Sequence, residues 1–181
     1  PLKKKGAVYT EIQGWERPGW FAPIGIKPIY DYSFHRPNWF HYSQAEQKSI
    51  REDVAIIDYS MLGKLMVEGS HAESFLQRVC TNDMALGVNS VAYTLMLNER
   101  GGIESDITVA RHDKESFMIM SSISNTHRDR IYLQNQKSID EDITLRDVTT
   151  SYAIISIAGP KSNSLLATVS NLDFPNNGFP R

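Results

Sequence analysis

The spacing of apolar and polar residues changes near residue 40. Beyond that point it alternates between helical and strand periods. Ser43-Gln44-Ala45-Glu46 has the capping-box form, in which serine and glutamate satisfy each other's backbone donors, and predicts a helix to about Asp53. Val54 to Asp58 reads as a short buried strand, and Lys64 to Glu68 as another, ended by Gly69. Ser70-His71-Ala72-Glu73 repeats the capping box and opens a helix with Phe75, Leu76 and Val79 on one face. Two strand patterns follow, Ala92 to Leu97 and Ile103 to Arg111. Between them, Asn98-Glu99-Arg100-Gly101-Gly102 carries the paired glycines that supply the positive φ of a tight hairpin. Phe117 to Met120 predicts a strand, Ser124 to Gln136 a helix, and Ile143 to Val148 and Tyr152 to Ala158 further strands. Gly159-Pro160 opens a last helix, with proline at its first position and Leu165, Leu166 and Val169 on its apolar face. Hairpins interleaved with helices predict an α+β fold of mixed, mainly antiparallel sheets with packed helices.

Before residue 40 the rhythm is absent. Gly14-Trp15-Glu16-Arg17-Pro18-Gly19-Trp20-Phe21 and Arg36-Pro37-Asn38-Trp39-Phe40 are aromatic and broken by proline and glycine, which oppose long regular elements. Residues 1–40 are therefore expected to be an irregular connecting segment. Its aromatic side chains pack either onto something else or over this domain's own core. Residues 41–181 are expected to form the regular domain.

Composition narrows the function classes. With 181 residues, 41% apolar and 22% charged, the chain can bury an ordinary globular core. A net charge of −2 gives no reason to expect nucleic acid or an anionic membrane as a partner. The run Lys3-Lys4-Lys5 reads as a solvated terminus. The single cysteine, Cys80, forbids an internal disulfide and is expected to be a buried, inert thiol. No stretch approaches the roughly 20 apolar residues that span a bilayer. The chain begins at Pro1 rather than Met and is expected to be part of a longer protein. It carries no G-x-G-x-x-G turn, Walker A loop, H-E-x-x-H or G-x-S-x-G elbow. Its five histidines lack metal-ligand spacing; His112 and His127 are expected at the surface, and no metal site is expected.

Candidate chemistry falls on the hairpin Tyr93 to Arg111. Alternate strand residues share a face. Ile103, Ser105, Ile107 and Val109 form the face expected to meet the core, and Glu104, Asp106 and Thr108 the polar face. Two carboxylates at i and i+2 repel, so partial closure would raise the pKa of one and make it a proton donor or acceptor. The alternative is a polar face that simply meets water.

The hairpin Y-T-L-M-L-N-E-R-G-G-I-E-S-D-I-T-V-A-R at Tyr93–Arg111 resembles the signature hairpin of the glycine cleavage T-protein superfamily, and more closely its sarcosine and dimethylglycine dehydrogenase branch. Supporting matches are G-W-E-R-P-G-W-F, R-P-N-W-F, R-E-D-V-A-I-I-D-Y-S at Arg51–Ser60, G-K-L-M-V-E-G at Gly63–Gly69, N-D-M at Asn82–Met84 and A-G-P-K-S at Ala158–Ser162. The resemblance implies the N-terminal part of the aminomethyltransferase folate-binding fold, with residues 1–40 leading from a preceding flavin oxidoreductase domain. It implies tetrahydrofolate as cofactor, and FAD bound outside this segment. In such enzymes an N-methylated glycine is oxidised at the flavin, and its methyl carbon reaches tetrahydrofolate as 5,10-methylenetetrahydrofolate. The family's acidic residue beside the folate amines corresponds to Asp106. Simple T-proteins carry two aspartates where this chain has Ser105 and Asp106, so only Asp106 takes the carboxylate role. Tyr93, Met96, Leu97 and Asn98 are expected beside the pterin. The family continues past Asn171-Leu172-Asp173-Phe174-Pro175, so this segment alone is expected to be inactive. Bacterial cytoplasm or mitochondrial matrix is the expected location. Two other readings remain open: a non-catalytic protein resembling the regulatory subunit of pyruvate dehydrogenase phosphatase, and a stand-alone aminomethyltransferase.

Overall fold

The computed structural model describes residues 1–12 and 14–170. Residues 171–175, past which the family pattern was expected to continue, lie outside the described residues. Contacts divide the chain into two units, Pro1–Ile57 with Ile157–Arg181, and Asp58–Ser156. The fold is α+β, as the alternating periods predict, with every ladder of its largest sheet antiparallel.

In the first unit, the segment expected to be irregular instead forms a hairpin, β1 (Ala7–Ile12) with β2 (Trp15–Phe21). Pro18 is tolerated because a two-stranded ribbon consists only of edges, and the register slips between Val8 and Tyr9. Gly14 makes the turn at φ 81°. Val8, Trp20 and Ala22 are buried, with Tyr30, Trp39 and Tyr42 packed against them. Trp20 stacks on Tyr42 with ring centroids 5.6 Å apart, so part of the aromatic lead-in closes its own unit's core. Tyr32 and Phe34 remain exposed.

Helix α1 (Phe40–Glu52) starts before Ser43, and the predicted capping box does not form. The Ser43 N–H instead donates to the Trp39 carbonyl inside the first turn. Packing of Trp39 and Tyr42 outweighs the local capping preference. Strand β3 (Ala55–Asp58) pairs with β9 (Ile155–Ala158). The expected burial of β3 is only partial, since Ile56 is 64% exposed. Helix α4 (Ser162–Val169) begins after Pro160, with Lys161 as its N-cap. Lys161 Nζ reaches Asp53 Oδ1 at 3.0 Å. Val169, expected on the apolar face, is exposed.

The second unit holds β4 (Gly63–Glu68), α2 (Ala72–Val79), β5 (Val91–Leu97), β6 (Ile103–Asp113), β7 (Ser116–Ser121), α3 (Thr126–Gln136) and β8 (Thr144–Asp147). The sheet order is β5-β6-β7-β4-β8. One face of the sheet packs on the helices. Ala72, Phe75, Leu76 and Val79 recur at helical spacing on α2 and are all buried. They join Leu65, Val67, Met84, Met96, Ile107, Val109, Phe117, Ile119 and Leu133 in one core. Cys80 lies at its edge, and burial pushes its thiol up to about 12, consistent with an inert group.

The second capping box is also replaced by long-range partners. Ser70 Oγ donates to Asp142 Oδ2 at 2.8 Å, and Glu73 pairs with Arg111 at 2.6 Å. Arg111 further donates to the carbonyls of Leu86, Asp113 and Lys114 and lies over the Phe117 ring. It fixes the far end of β6.

Arg78 holds Glu141 through two hydrogen bonds of 2.5 and 3.0 Å. The guanidinium draws the Glu141 carboxyl down from its ordinary 4.5 to about 2. A folded pKa below the unfolded one means that this contribution is complete above about 4.5 and is lost as pH falls through about 2. Glu141→Gln should therefore flatten the fall of Tm between those two pH values, as thermal melts across an acid series would show.

Candidate functional site

The β5–β6 hairpin is fixed at its tip by Asn98. Its Oδ1 accepts the N–H groups of Arg100 and Gly102 at 3.0 and 2.9 Å, and its Nδ2 donates to Glu104 Oε1 at 2.9 Å. Gly101 completes the turn at φ 76°, a conformation that disfavours side chains. Leu97 pairs with Ile103 and Met96 with Ser105, so Glu104 is the extra residue of a β-bulge. That slip explains why Ile103, expected in the core, is 65% exposed. Ser105, Ile107 and Val109 do enter the core, as alternation predicts.

Asp106 therefore points to the opposite face and is exposed. Its cross-strand partner is Leu95, and Tyr93, opposite Thr108, is its diagonal neighbour. The Tyr93 phenol donates to Asp106 Oδ2 at 3.4 Å, a long contact that leaves the carboxylate open to a better donor. The Tyr93 ring is 62% exposed. The same face continues through Thr108 to Met120 of β7. The result is a carboxylate acceptor set between an aromatic ring and apolar strand residues. Such a surface suits a flat heterocycle that donates N–H groups.

The remaining expected site residues divide. Tyr93 joins Asp106. Met96 does not; it is fully buried in the core on the other face. Asn98 is committed to the turn. Leu97 is half-buried, and its carbonyl accepts the Tyr132 hydroxyl at 2.9 Å.

Beneath the hairpin, α3 supplies residues that the sequence pattern passed over. Ser105 Oγ donates to Asp129 Oδ2 at 3.1 Å, and Arg128 Nη2 donates to the Glu104 carbonyl. Asp129 is 1% exposed, and burial chiefly raises its pKa. The hydroxyls of Ser121 and Ser105 and the Arg128 guanidinium act against burial, and the Asp106 charge adds to it. Ser121 Oγ faces this carboxyl but makes no contact of hydrogen-bond geometry and is otherwise unpaired. The only sequence signal for Asp129 is its place one helical turn before the buried Leu133. Among the described residues, no cluster of histidine, cysteine or carboxylate side chains could hold a metal ion.

A model of the GCVT N-terminal domain matches residues 1–181, and the chain belongs to that family. It is 35% identical over 173 residues to 4-methylaminobutanoate oxidase (formaldehyde-forming) of Paenarthrobacter nicotinovorans, covering 96% of this chain and 21% of that protein. It is 31% identical over 184 residues to the mitochondrial pyruvate dehydrogenase phosphatase regulatory subunit of Mus musculus, covering 99% of this chain and 21% of that protein. The crystal structure of the glycine cleavage system aminomethyltransferase T from Bartonella henselae superposes with a TM-score of 0.73 at 23% identity, over 92% of this chain and 40% of that one. The chain thus spans about a fifth of the length of these two curated relatives.

Proposed function

We propose that this chain forms the Asp106 wall of a tetrahydrofolate site in a flavin-dependent demethylating enzyme acting on N-methylated amino acids, sarcosine and dimethylglycine among them. The observation that carries this reading is the exposed Asp106 carboxylate beside the exposed Tyr93 ring, on the hairpin whose sequence resembles the family signature. Tetrahydrofolate supplies nucleophilic amines that capture the oxidised methyl carbon, giving 5,10-methylenetetrahydrofolate. Asp106 accepts the proton or hydrogen bond of the attacking amine, and its charge favours a cationic carbon donor nearby. Tyr93 offers its ring face to the pterin and its hydroxyl to Asp106. Segments outside this chain complete the site and bind the FAD. Among the described residues no helix is long and apolar enough to cross a membrane. A matrix or bacterial cytoplasmic location accords with the folate chemistry proposed.

The test is a titration of the full-length protein with tetrahydrofolate. Wild type should bind, and Tyr93→Ala should weaken binding about five- to tenfold, the worth of one aromatic contact. No binding by wild type would overturn the reading. A regulatory role is favoured by one observation, the 31% identity to the phosphatase regulatory subunit over 99% of this chain. It predicts binding of a phosphatase catalytic subunit and no turnover of methylated amines.

A further inference from the structure

We propose that Asp129 is a positioning residue for Asp106, acting through Ser105 from the opposite side of the sheet. This rests on the role given to Asp106 above.

Three features carry it. First, Ser105 and Asp106 are neighbours on β6 that point to opposite faces, so whatever seats Ser105 sets the direction of Asp106. Ser105 is 3% exposed and its hydroxyl is held by Asp129, which is 1% exposed. Second, the bulge leaves Glu104 without a ladder partner two residues before Asp106. The backbone there depends on other anchors, and the adjacent Arg128 supplies one at the Glu104 carbonyl. Two consecutive residues of α3 thus hold the two residues that precede Asp106. Third, a carboxyl group in an apolar core is costly, and this one has one serine hydroxyl in hydrogen-bond geometry at 3.1 Å, the Ser121 hydroxyl facing it without that geometry, and a guanidinium 3.8 Å away. Packing alone would favour a leucine there. Misplacing a reacting group by about 1 Å can cost about 100-fold in rate, so an anchor one residue away has leverage over Asp106.

The groups facing Asp129 are Ser105 from β6, Ser121 from β7 and Arg128 on its own helix, and the Asp106 charge acts on it from the other face of the sheet. Asp129→Asn keeps the size and an acceptor for Ser105 but removes the charge. Ser105→Ala removes only the hydroxyl.

The experiment is a double-mutant cycle in the full-length protein. It combines Asp129→Asn and Ser105→Ala, separately, with Asp106→Asn. Folate-dependent transfer is read as kcat and KM, with flavin reduction as the internal control. Each single variant should lower kcat for transfer about tenfold while KM for tetrahydrofolate changes less than about twofold. In the Asp106→Asn background, the same changes should cost less than about twofold, because residues that act as a unit are non-additive. Fully additive losses, or no loss in either single variant, would overturn the proposal. If Asp129→Asn fails to fold, Ser105→Ala carries the cycle alone. If Asp106→Asn itself leaves transfer unchanged, the functional reading fails and this inference with it. If Asp106→Asn cripples transfer while the other two variants do not, only this inference fails.

Discussion

Asp106→Asn in the full-length protein should lower methylenetetrahydrofolate formation about 100- to 1,000-fold, the usual worth of a positioned acid–base group. At 1.36 kcal/mol per decade, that is about 3–4 kcal/mol of transition-state stabilisation. The substitution keeps the shape of the side chain and a carbonyl acceptor for the Tyr93 hydroxyl. What it removes is the charge and the basic oxygen. Flavin reduction, proposed to take place outside this chain, should proceed at its normal rate. The methyl carbon should then leave as formaldehyde. Steady-state assays of both products, run side by side with a formaldehyde-trapping amine present, separate the two steps. Loss of flavin reduction together with folate transfer would place Asp106 in a structural role instead.

Lys64→Met should be the most damaging single change to stability. Lys64 is fully buried at the start of β4, an unusual place for an ammonium. Its Nζ donates to the carbonyls of Ser60 and Leu62 at 2.8 Å and of Thr149 at 3.0 Å. Three backbone acceptors thus use its three donors, and the turn before β4 is tied to the segment after β8. Methionine fills nearly the same space and satisfies none of them. Each unpaired buried carbonyl costs about 1–3 kcal/mol, and partial access of water should limit the total to about 3–5 kcal/mol. Urea denaturation monitored by circular dichroism would show the midpoint shift. Burial lowers the Lys64 pKa from its ordinary 10.5, partly offset by Asp147 and Asp58. With the folded value below the unfolded one, folding gains stability as pH rises through the window just below 10.5. Lys64→Met should abolish that alkaline gain, so the gap between the two proteins widens there.

Most of the second unit was legible because its elements bury one face each. The period of α2 puts Phe75, Leu76 and Val79 in the core, and alternation along β6 separates Ser105 from Asp106. The failures share one physical cause. Both capping boxes were read from local chemistry, yet Ser70, Glu73 and Trp39 found stronger partners far along the chain or in aromatic packing. Met96 and Ile103 were misplaced because a bulge does not announce itself in an apolar–polar pattern. The hairpin before residue 40 was hidden by Pro18, which is excluded from central strands but not from a two-stranded ribbon. Asp129 and Lys64 were invisible for a further reason. A buried charge looks like a surface charge until its partners are known, and α3 has no clear apolar stripe to mark its inner face.

The resemblance and the residue pattern converge on Asp106, and the structure adds the Tyr93 ring beside it and Ser105 behind it. We propose that this hairpin directs a methyl carbon onto tetrahydrofolate. The most direct test follows that carbon. A single turnover of a substrate carrying a ¹³C-labelled N-methyl group, with tetrahydrofolate present, can be read by NMR in wild type and Asp106→Asn. With a formaldehyde-trapping amine such as semicarbazide present, label is expected in the methylene bridge of 5,10-methylenetetrahydrofolate for the wild type and in the trapped formaldehyde for the variant. The same distribution in both proteins would contradict it.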